Sequence, residues 1–140
     1  MNNNQNRHHR TSSRLKGYDY SHEGLYFISI CILNRECLLG KIEKNNMILS
    51  ETGEIANQYW KDITTHFPNS ALHQHIIMPN HIHGIIEINH NNTMGMRHGS
   101  SLHNTPQQFG KAVSGSISVI INQYKSSVKR WCNQNDHSFF

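Results

Sequence analysis

The sequence has no long apolar run and few hydrophobic residues. Only 36% of its 140 residues are hydrophobic, and no stretch of eighteen or more apolar residues occurs, which excludes a transmembrane helix. The first residues, 1–14, are polar and basic and lack the apolar segment of a secretory signal. A chain of this length and composition is expected to form one small domain with a modest core.

Cysteine is also scarce. The three cysteines, Cys31, Cys37 and Cys132, form no CxxC pair. An odd and scattered set predicts no disulfide framework and is typical of a reducing cytoplasm. We therefore expect a cytoplasmic protein in which each cysteine acts as a small, partly buried apolar residue.

Acidic residues are nearly missing from the two ends of the chain. The basic residues before position 19 are Arg7, Arg10, Arg14 and Lys16, with no acid among them. Those after position 88 are Arg97, Lys111, Lys125, Lys129 and Arg130, with Asp136 as the single acid. Residues 19–88 between them are net negative. Basic ends indicate contact with a polyanion, although solubilising charge explains the same pattern.

Apolar periodicity and turn signals predict five regular elements. The predicted strands cover residues 25–33, 71–78 and 81–89, and the predicted helices cover 50–66, with Ser50 as N-cap, and 112–133. Residues 34–46 look like a turn-containing connection. The order strand, helix, strand, strand, helix predicts an α+β fold in which helices cover an antiparallel sheet.

Two further segments lack periodicity. Residues 1–17 are expected to be a flexible basic arm. Residues 90–108 are rich in glycine, asparagine and serine, so we expect a mobile surface loop there. The folded domain is therefore expected to span residues 18–140.

Histidines concentrate in the segment HQHIIMPNHIHGIIEI, residues 73–88. Side chains alternate between the two faces of a strand, so His81, His83 and Glu87 should lie on one face, with isoleucines on the other. By the same rule His73 and His75 should share a face. Two imidazoles at this spacing can converge on one metal ion. The alternative is a strand that simply carries histidines on its solvent-facing side.

The segment MPNHIHGIIEI, residues 78–88, resembles the signature of single-tyrosine HUH transposases, in particular the REP-associated tyrosine transposase branch. The resemblance extends through residues 14–42 (RLKGYDYSHEGLYFISICILNRECLLGKI) and 115–131 (GSISVIINQYKSSVKRW). It implies a ferredoxin-like fold, His81 and His83 as metal ligands, and Mg²⁺ or Mn²⁺ as cofactor. It also implies single-stranded or hairpin DNA as substrate, nicked and rejoined through a 5′-phosphotyrosine.

The nucleophilic tyrosine is where the sequence departs from this family. The family's tyrosine lies on a later helix with an Asn or Gln four residues on, whereas Val128 stands four residues after Tyr124. Tyr124 also falls on the apolar stripe of its helix, which favours a packing role. We therefore expect the nucleophile beyond residue 140, and a C-terminally truncated, inactive domain that binds structured DNA is the alternative function.

The remaining candidate residues are polar or charged. Glu87 is either an oxygen ligand for the metal or an ordinary polar residue of its strand. The predicted DNA contacts are Arg14, Lys16, Lys125, Lys129 and Arg130. Loss of a terminal strand would expose a sheet edge, which favours a homodimer. An unrelated hydrolase with a His-x-His metal site would need a further cluster of carboxylates or histidines, and the sequence offers none.

Overall fold

The computed structural model of the chain describes residues 14–90 and 113–135. The predicted basic arm and polar loop lie mostly outside these residues. The strands are β1 (Gly24–Cys31), β2 (Gly40–Glu43), β3 (Asn46–Leu49), β4 (Ser70–Met78) and β5 (His81–Ile88). The helices are α1 (Glu51–Lys61), α2 (Ile63–His66) and α3 (Ile117–Gln134).

The main sheet has three antiparallel strands in the order β1-β5-β4. The histidine strand β5 is therefore central, and the shorter strands β2 and β3 form a separate two-stranded sheet. With α1 between β1 and β4, and α3 after β5, the order of these elements matches the first five elements of a ferredoxin-like fold. The predicted α+β class with an antiparallel sheet is confirmed.

The core lies between one face of this sheet and the helices α1 and α3. Ile82, Ile86 and Ile88 of β5 are completely buried on this face. Gly84 lies among them because the indole ring of Trp60, from α1, occupies the space that a Cβ atom would need. Tyr124 of α3 meets the same indole edge to face, with ring centroids 5.4 Å apart. Both helices therefore pack on the same side of the sheet.

The first helix begins where the sequence predicts. The Ser50 hydroxyl accepts a hydrogen bond from the Gly53 N–H and donates one to the Leu38 carbonyl, at 2.6 Å. The helix does not run unbroken to His66, however. The ψ angle of Asp62 is −8°, far from the helical value, so the predicted single helix is divided into α1 and α2.

The last helix begins later than predicted. Ser116 is its N-cap, and Gly115 before it has a φ of +74°, which ends any helical path from residue 113. The buried stripe of α3 consists of Ile117, Ile120, Tyr124, Val128 and Cys132. Tyr124 lies on this stripe as predicted, whereas Val113, inside the predicted helix, is exposed.

The segment predicted as a turn-containing connection, residues 34–46, leads into a β-hairpin. Lys44 and Asn45 have φ angles of 50° and 65°, the left-handed pair that a two-residue hairpin turn requires. Each strand has only four residues, with charged or amide side chains among them. Such a short and polar pattern lacks the alternation by which strands are recognised, so the hairpin was missed.

A bulge in β4 overturns the expectation that His73 and His75 share a face. The pairing of β4 with β5 shifts between Leu72 and His75, and the one extra residue reverses the alternation. The His75 ring consequently stacks on Trp60 on the core side, with centroids 5.8 Å apart. His73 points to the opposite face, where its ring bonds Glu87.

Candidate functional site

The candidate site lies on the face of the main sheet opposite the helices, which we call the open face. Directly paired residues of neighbouring strands share a face, so Ser29 and Cys31 of β1 accompany their partners His83 and His81. Both histidines are half-buried. They lie toward the end of β5 that follows the Pro79-Asn80 turn.

The rings of His81 and His83 converge, as predicted. Their centroids are 4.7 Å apart, with an angle of 66° between the ring planes. An ion bound at roughly 2.1 Å from one nitrogen of each ring would place the centroids roughly 4.5–5.5 Å apart. The spacing therefore fits two imidazole ligands of a single ion.

Hydrogen bonds hold the Nδ1 atoms of both rings. The Nδ1 of His81 lies 2.7 Å from Oδ1 of Asn80, and the Nδ1 of His83 lies 3.0 Å from the hydroxyl of Ser29. An amide oxygen can only accept, so the His81 ring donates to Asn80 through Nδ1, and a metal ion would bind its Nε2. Metal-binding histidines are commonly oriented in this way. The donor set thus fits a divalent ion bound through Nε2.

Asn80 also connects the histidines to the turn after β1. Its side-chain nitrogen, Nδ2, donates a hydrogen bond to the Arg35 carbonyl at 3.3 Å. Its backbone carbonyl accepts one from the Ile32 N–H at 2.9 Å. One asparagine side chain therefore orients a ring and ties down a neighbouring loop. Sequence reasoning missed both Asn80 and Ser29 as site residues.

Glu87 does not lie with the histidine pair. Its carboxylate accepts hydrogen bonds from the His73 ring at 2.7 Å and from the Asn89 amide at 3.2 Å. It lies four residues from His83, roughly 13 Å along the strand. Within residues 14–90 and 113–135, no three His, Cys, Asp or Glu side chains are grouped to hold an ion. Glu87 is therefore an ordinary polar residue of its strand.

A cleft that we call the basic groove separates the turn after β1 from α3. Its volume is about 760 Å³. The residues that line it are Cys31, Ile32, Leu33, Asn34, Arg35, Asn122, Lys125, Ser126 and Lys129. Because Cys31 is the register partner of His81, the groove opens beside the histidine pair. Lys125 and Lys129 were predicted to contact DNA, whereas Arg35 was missed because it belongs to a net acidic stretch.

The other predicted DNA contacts lie elsewhere. Arg130 lines a separate cavity of about 270 Å³ between α3 and the first two helices, together with Asp62. The guanidinium of Arg14 lies over the ring of Tyr20, 5.9 Å from its centroid. Lys16 is exposed near the start of the described residues. The structure thus groups only two of the five predicted basic residues.

The five tyrosines of the chain all lie within the described residues and away from the histidine pair. Tyr124 is 4% exposed, and its hydroxyl donates to the Ala56 carbonyl at 3.0 Å. Burial raises its pKa well above the ordinary value. The expected packing role is confirmed.

The remaining tyrosines occupy other regions. Tyr18 and Tyr20 precede β1, at the end of the sheet opposite His81. Tyr26 faces the core side, and its hydroxyl donates to the His22 carbonyl at 2.7 Å. Tyr59 lines the cavity that contains Arg130. None of them can reach the histidine pair from these positions.

Comparison with known proteins identifies a longer relative. No family model matches the chain, and no solved structure matches it. Among the described residues, no helix has the length and apolar character needed to cross a membrane. An uncharacterized protein of Haemophilus influenzae Rd is 40% identical over 138 residues, which cover 94% of this chain and 73% of the relative. The chain therefore belongs to the same family as this Haemophilus influenzae protein.

Proposed function

We propose that the chain is a transposase-like, cytoplasmic DNA-binding protein that acts on single-stranded or hairpin DNA with Mg²⁺ or Mn²⁺. The observation that carries this proposal is the histidine pair, whose rings converge with both Nδ1 atoms held, beside the basic groove. The resemblance of residues 78–88 to the HUH transposase signature points to the same chemistry.

His81 and His83 would hold the ion. When bound, a divalent cation neutralises negative charge on a phosphate that coordinates it. Both Mg²⁺ and Mn²⁺ prefer oxygen ligands, so two imidazoles alone leave most coordination positions to water or DNA. We therefore expect weak binding of the ion to the free protein and tighter binding when DNA is present.

The basic groove would hold the DNA backbone. Arg35, Lys125 and Lys129 bring three cations to one cleft, and Cys31, which also lines it, is the register partner of His81. Lysine and arginine attract phosphates irrespective of sequence and make the affinity depend on salt. The scissile phosphate would lie at the ion, and the neighbouring phosphates of the same strand would lie in the groove.

The positions of the tyrosines favour binding without cleavage by these 140 residues. A phosphotyrosine step needs a tyrosine hydroxyl at the ion, and none of the five lies there. The proposal for the chain itself is consequently recognition of structured DNA. Nicking and rejoining would require a tyrosine from another source.

The experiment is a titration of a labelled DNA hairpin with a single-stranded flank, followed by fluorescence anisotropy with and without Mn²⁺. We expect Mn²⁺ to strengthen binding to the natural chain and to leave His81→Ala unaffected. His66→Ala replaces an exposed histidine far from the pair and should respond like the natural chain. An equal Mn²⁺ effect in His81→Ala would contradict the metal site.

The same mixtures test cleavage. We expect no nicked DNA and no protein–DNA adduct on denaturing gels, because Tyr124 of α3 is buried and its hydroxyl is bonded to a backbone carbonyl. An adduct identified on Tyr124 by mass spectrometry would show that the helix opens to expose a nucleophile.

A homodimer is the partner arrangement that we propose. Among the described residues, β1 pairs only with β5, which leaves one edge of β1 with unpaired backbone groups. A second copy could pair there. Sedimentation equilibrium tests this, since a monomer at all concentrations would reject the dimer.

A further inference from the structure

The open face of the sheet carries large apolar side chains around His83. Leu25 and Phe27 of β1 are 66% and 69% exposed, and Ile76 of β4 is 53% exposed. Ile76 is paired directly with His83, and Phe27 is paired with Ile85, two residues along β5 from His83. The Phe27 ring stacks on the His83 ring, with centroids 5.3 Å apart and planes 26° from parallel.

Solubility alone does not account for these side chains. An antiparallel sheet covered on one side by helices ordinarily alternates apolar residues toward the core with polar residues toward water. Here β1 has apolar residues on both faces, with Tyr26 and Ile28 toward the core and Leu25 and Phe27 outward. A contiguous exposed apolar patch commonly marks a binding surface.

We propose that the face formed by Phe27, His83 and Ile76, which we call the stacking platform, binds unpaired nucleobases, and that Phe27 is the residue on which a base stacks. This inference rests on the proposed function, because the platform would bind the bases of the same single strand. Aromatic rings on an open sheet are suited to this role because every base has an apolar face.

Charge favours a nucleic acid over a protein as the occupant. The basic groove begins at Cys31, four residues along β1 from Phe27, or roughly 13 Å. An extended strand of a few nucleotides spans that distance, with phosphates against the lysines and bases against the phenylalanine. An apolar protein segment would use the platform but would have no need of the adjoining cations.

The platform also predicts selectivity for single strands. Bases in a duplex are stacked and paired, so their faces are not available to Phe27. Removing one base–aromatic stack typically weakens binding between about fivefold and a hundredfold. It does not change how many phosphates are bound, so the dependence of affinity on salt should stay the same.

The test uses the full chain without metal and two hairpins that differ only in their single-stranded flank, one with bases and one abasic. We expect Phe27→Ala to bind the base-bearing flank about fivefold to a hundredfold more weakly, with an unchanged salt slope, and the abasic flank like the natural chain. Phe27→Trp should retain affinity, and its fluorescence should be quenched by the base-bearing flank. Ile42→Ala, at an exposed strand position outside the main sheet, is the matched control.

Four outcomes would overturn the inference. Equal binding of both flanks by the natural chain would remove the evidence for base contacts. Unchanged affinity of Phe27→Ala, in a protein that does bind the hairpin, would refute the platform but leave the proposed function standing. Dissociation of a dimer by Phe27→Ala, seen by sedimentation, would assign the face to a second copy. Absence of any salt-sensitive DNA binding would reject the proposed function itself.

Discussion

At the scale of single residues, Asn80 carries the most testable part of the site. Its Oδ1 accepts a hydrogen bond from Nδ1 of His81 at 2.7 Å, and its Nδ2 donates one to the Arg35 carbonyl. We expect Asn80→Ala to lower the affinity for Mn²⁺ by about 10- to 100-fold, because the ring loses the partner that fixes its tautomer. Titration of free Mn²⁺ by electron paramagnetic resonance measures this.

The conservative variant separates orientation from general damage. Asn80→Asp keeps an oxygen for His81 but loses the donor to Arg35, so it should retain most of the Mn²⁺ affinity. Asn46→Ala, an exposed asparagine in the hairpin, should behave like the natural chain. Equal weakening in the Ala and Asp variants would mean that Asn80 acts through the loop and not through His81.

The sequence predicted some of these residues and not others for a physical reason. Strand alternation alone places His81 and His83 on one face, so that part was predicted and is confirmed. Ser29 reaches His83 across 54 positions of sequence, and only the register of β1 against β5 reveals the contact. Arg35 likewise joins Lys125 through the fold, which averaging charge along the chain cannot show.

At the scale of elements, the closest approach is between β5 and α1 at Gly84. A Cβ there would overlap the six-membered ring of Trp60, which is fully buried. We expect Gly84→Ala to lower the free energy of unfolding by about 1–3 kcal/mol, since the indole cannot move aside in a packed core. Urea unfolding followed by circular dichroism gives the value, and Ile42→Ala should change it by less than about 0.5 kcal/mol.

The bulge in β4 creates a pH dependence. It places His75 against Trp60 and within 2.9 Å of the Asn57 amide oxygen. Burial, and to a smaller degree Lys61, lowers the pKa of His75 below its ordinary 6.5. The unfolded chain therefore takes up the proton at a higher pH than the folded protein does.

Protonation of His75 should consequently destabilise the fold as the pH falls. We expect the free energy of unfolding to decrease as the pH drops below about 6.5, and His75→Gln to flatten this decrease. Ile42→Ala, outside the main sheet, is the control and should keep the pH profile of the natural chain. A steeper profile in His75→Gln would mean that the protonated ring stabilises the fold.

The elements themselves were predicted where the pattern is long and regular. The strands that became β1, β4 and β5 were recognised from their apolar residues, and α1 from its Ser50 cap. The hairpin and the bulge were not, because each depends on one or two residues. Left-handed angles at Lys44 and Asn45, and a shift of register after Leu72, leave no periodic signal in the sequence.

At the scale of the whole molecule, one face of the main sheet forms the core and the other carries the candidate site. The side toward α1 and α3 contains the core, with the Trp60 ring as its largest fully buried side chain. The open face carries the histidine pair and the stacking platform, and the basic groove lies at its edge. Basic residues at the two ends of the sequence predicted contact with a polyanion. The fold separates those that it describes, Arg14, Lys16, Lys125, Lys129 and Arg130, into three regions.

The most direct test of DNA binding is the salt dependence of affinity for a hairpin with a single-stranded flank. The double variant Lys125→Ala, Lys129→Ala removes two cations of the basic groove. The control Lys41→Ala, Lys44→Ala removes two cations from the hairpin with the same change of net charge.

If each groove lysine binds one phosphate of the single strand, the slope of log affinity against log salt should become shallower by about 1.4 in the groove variant, at roughly 0.7 for each phosphate that is no longer neutralised. The control should keep the slope of the natural chain. Equal slopes in all three proteins, or no binding at low salt, would contradict a phosphate-binding groove and with it the proposed function.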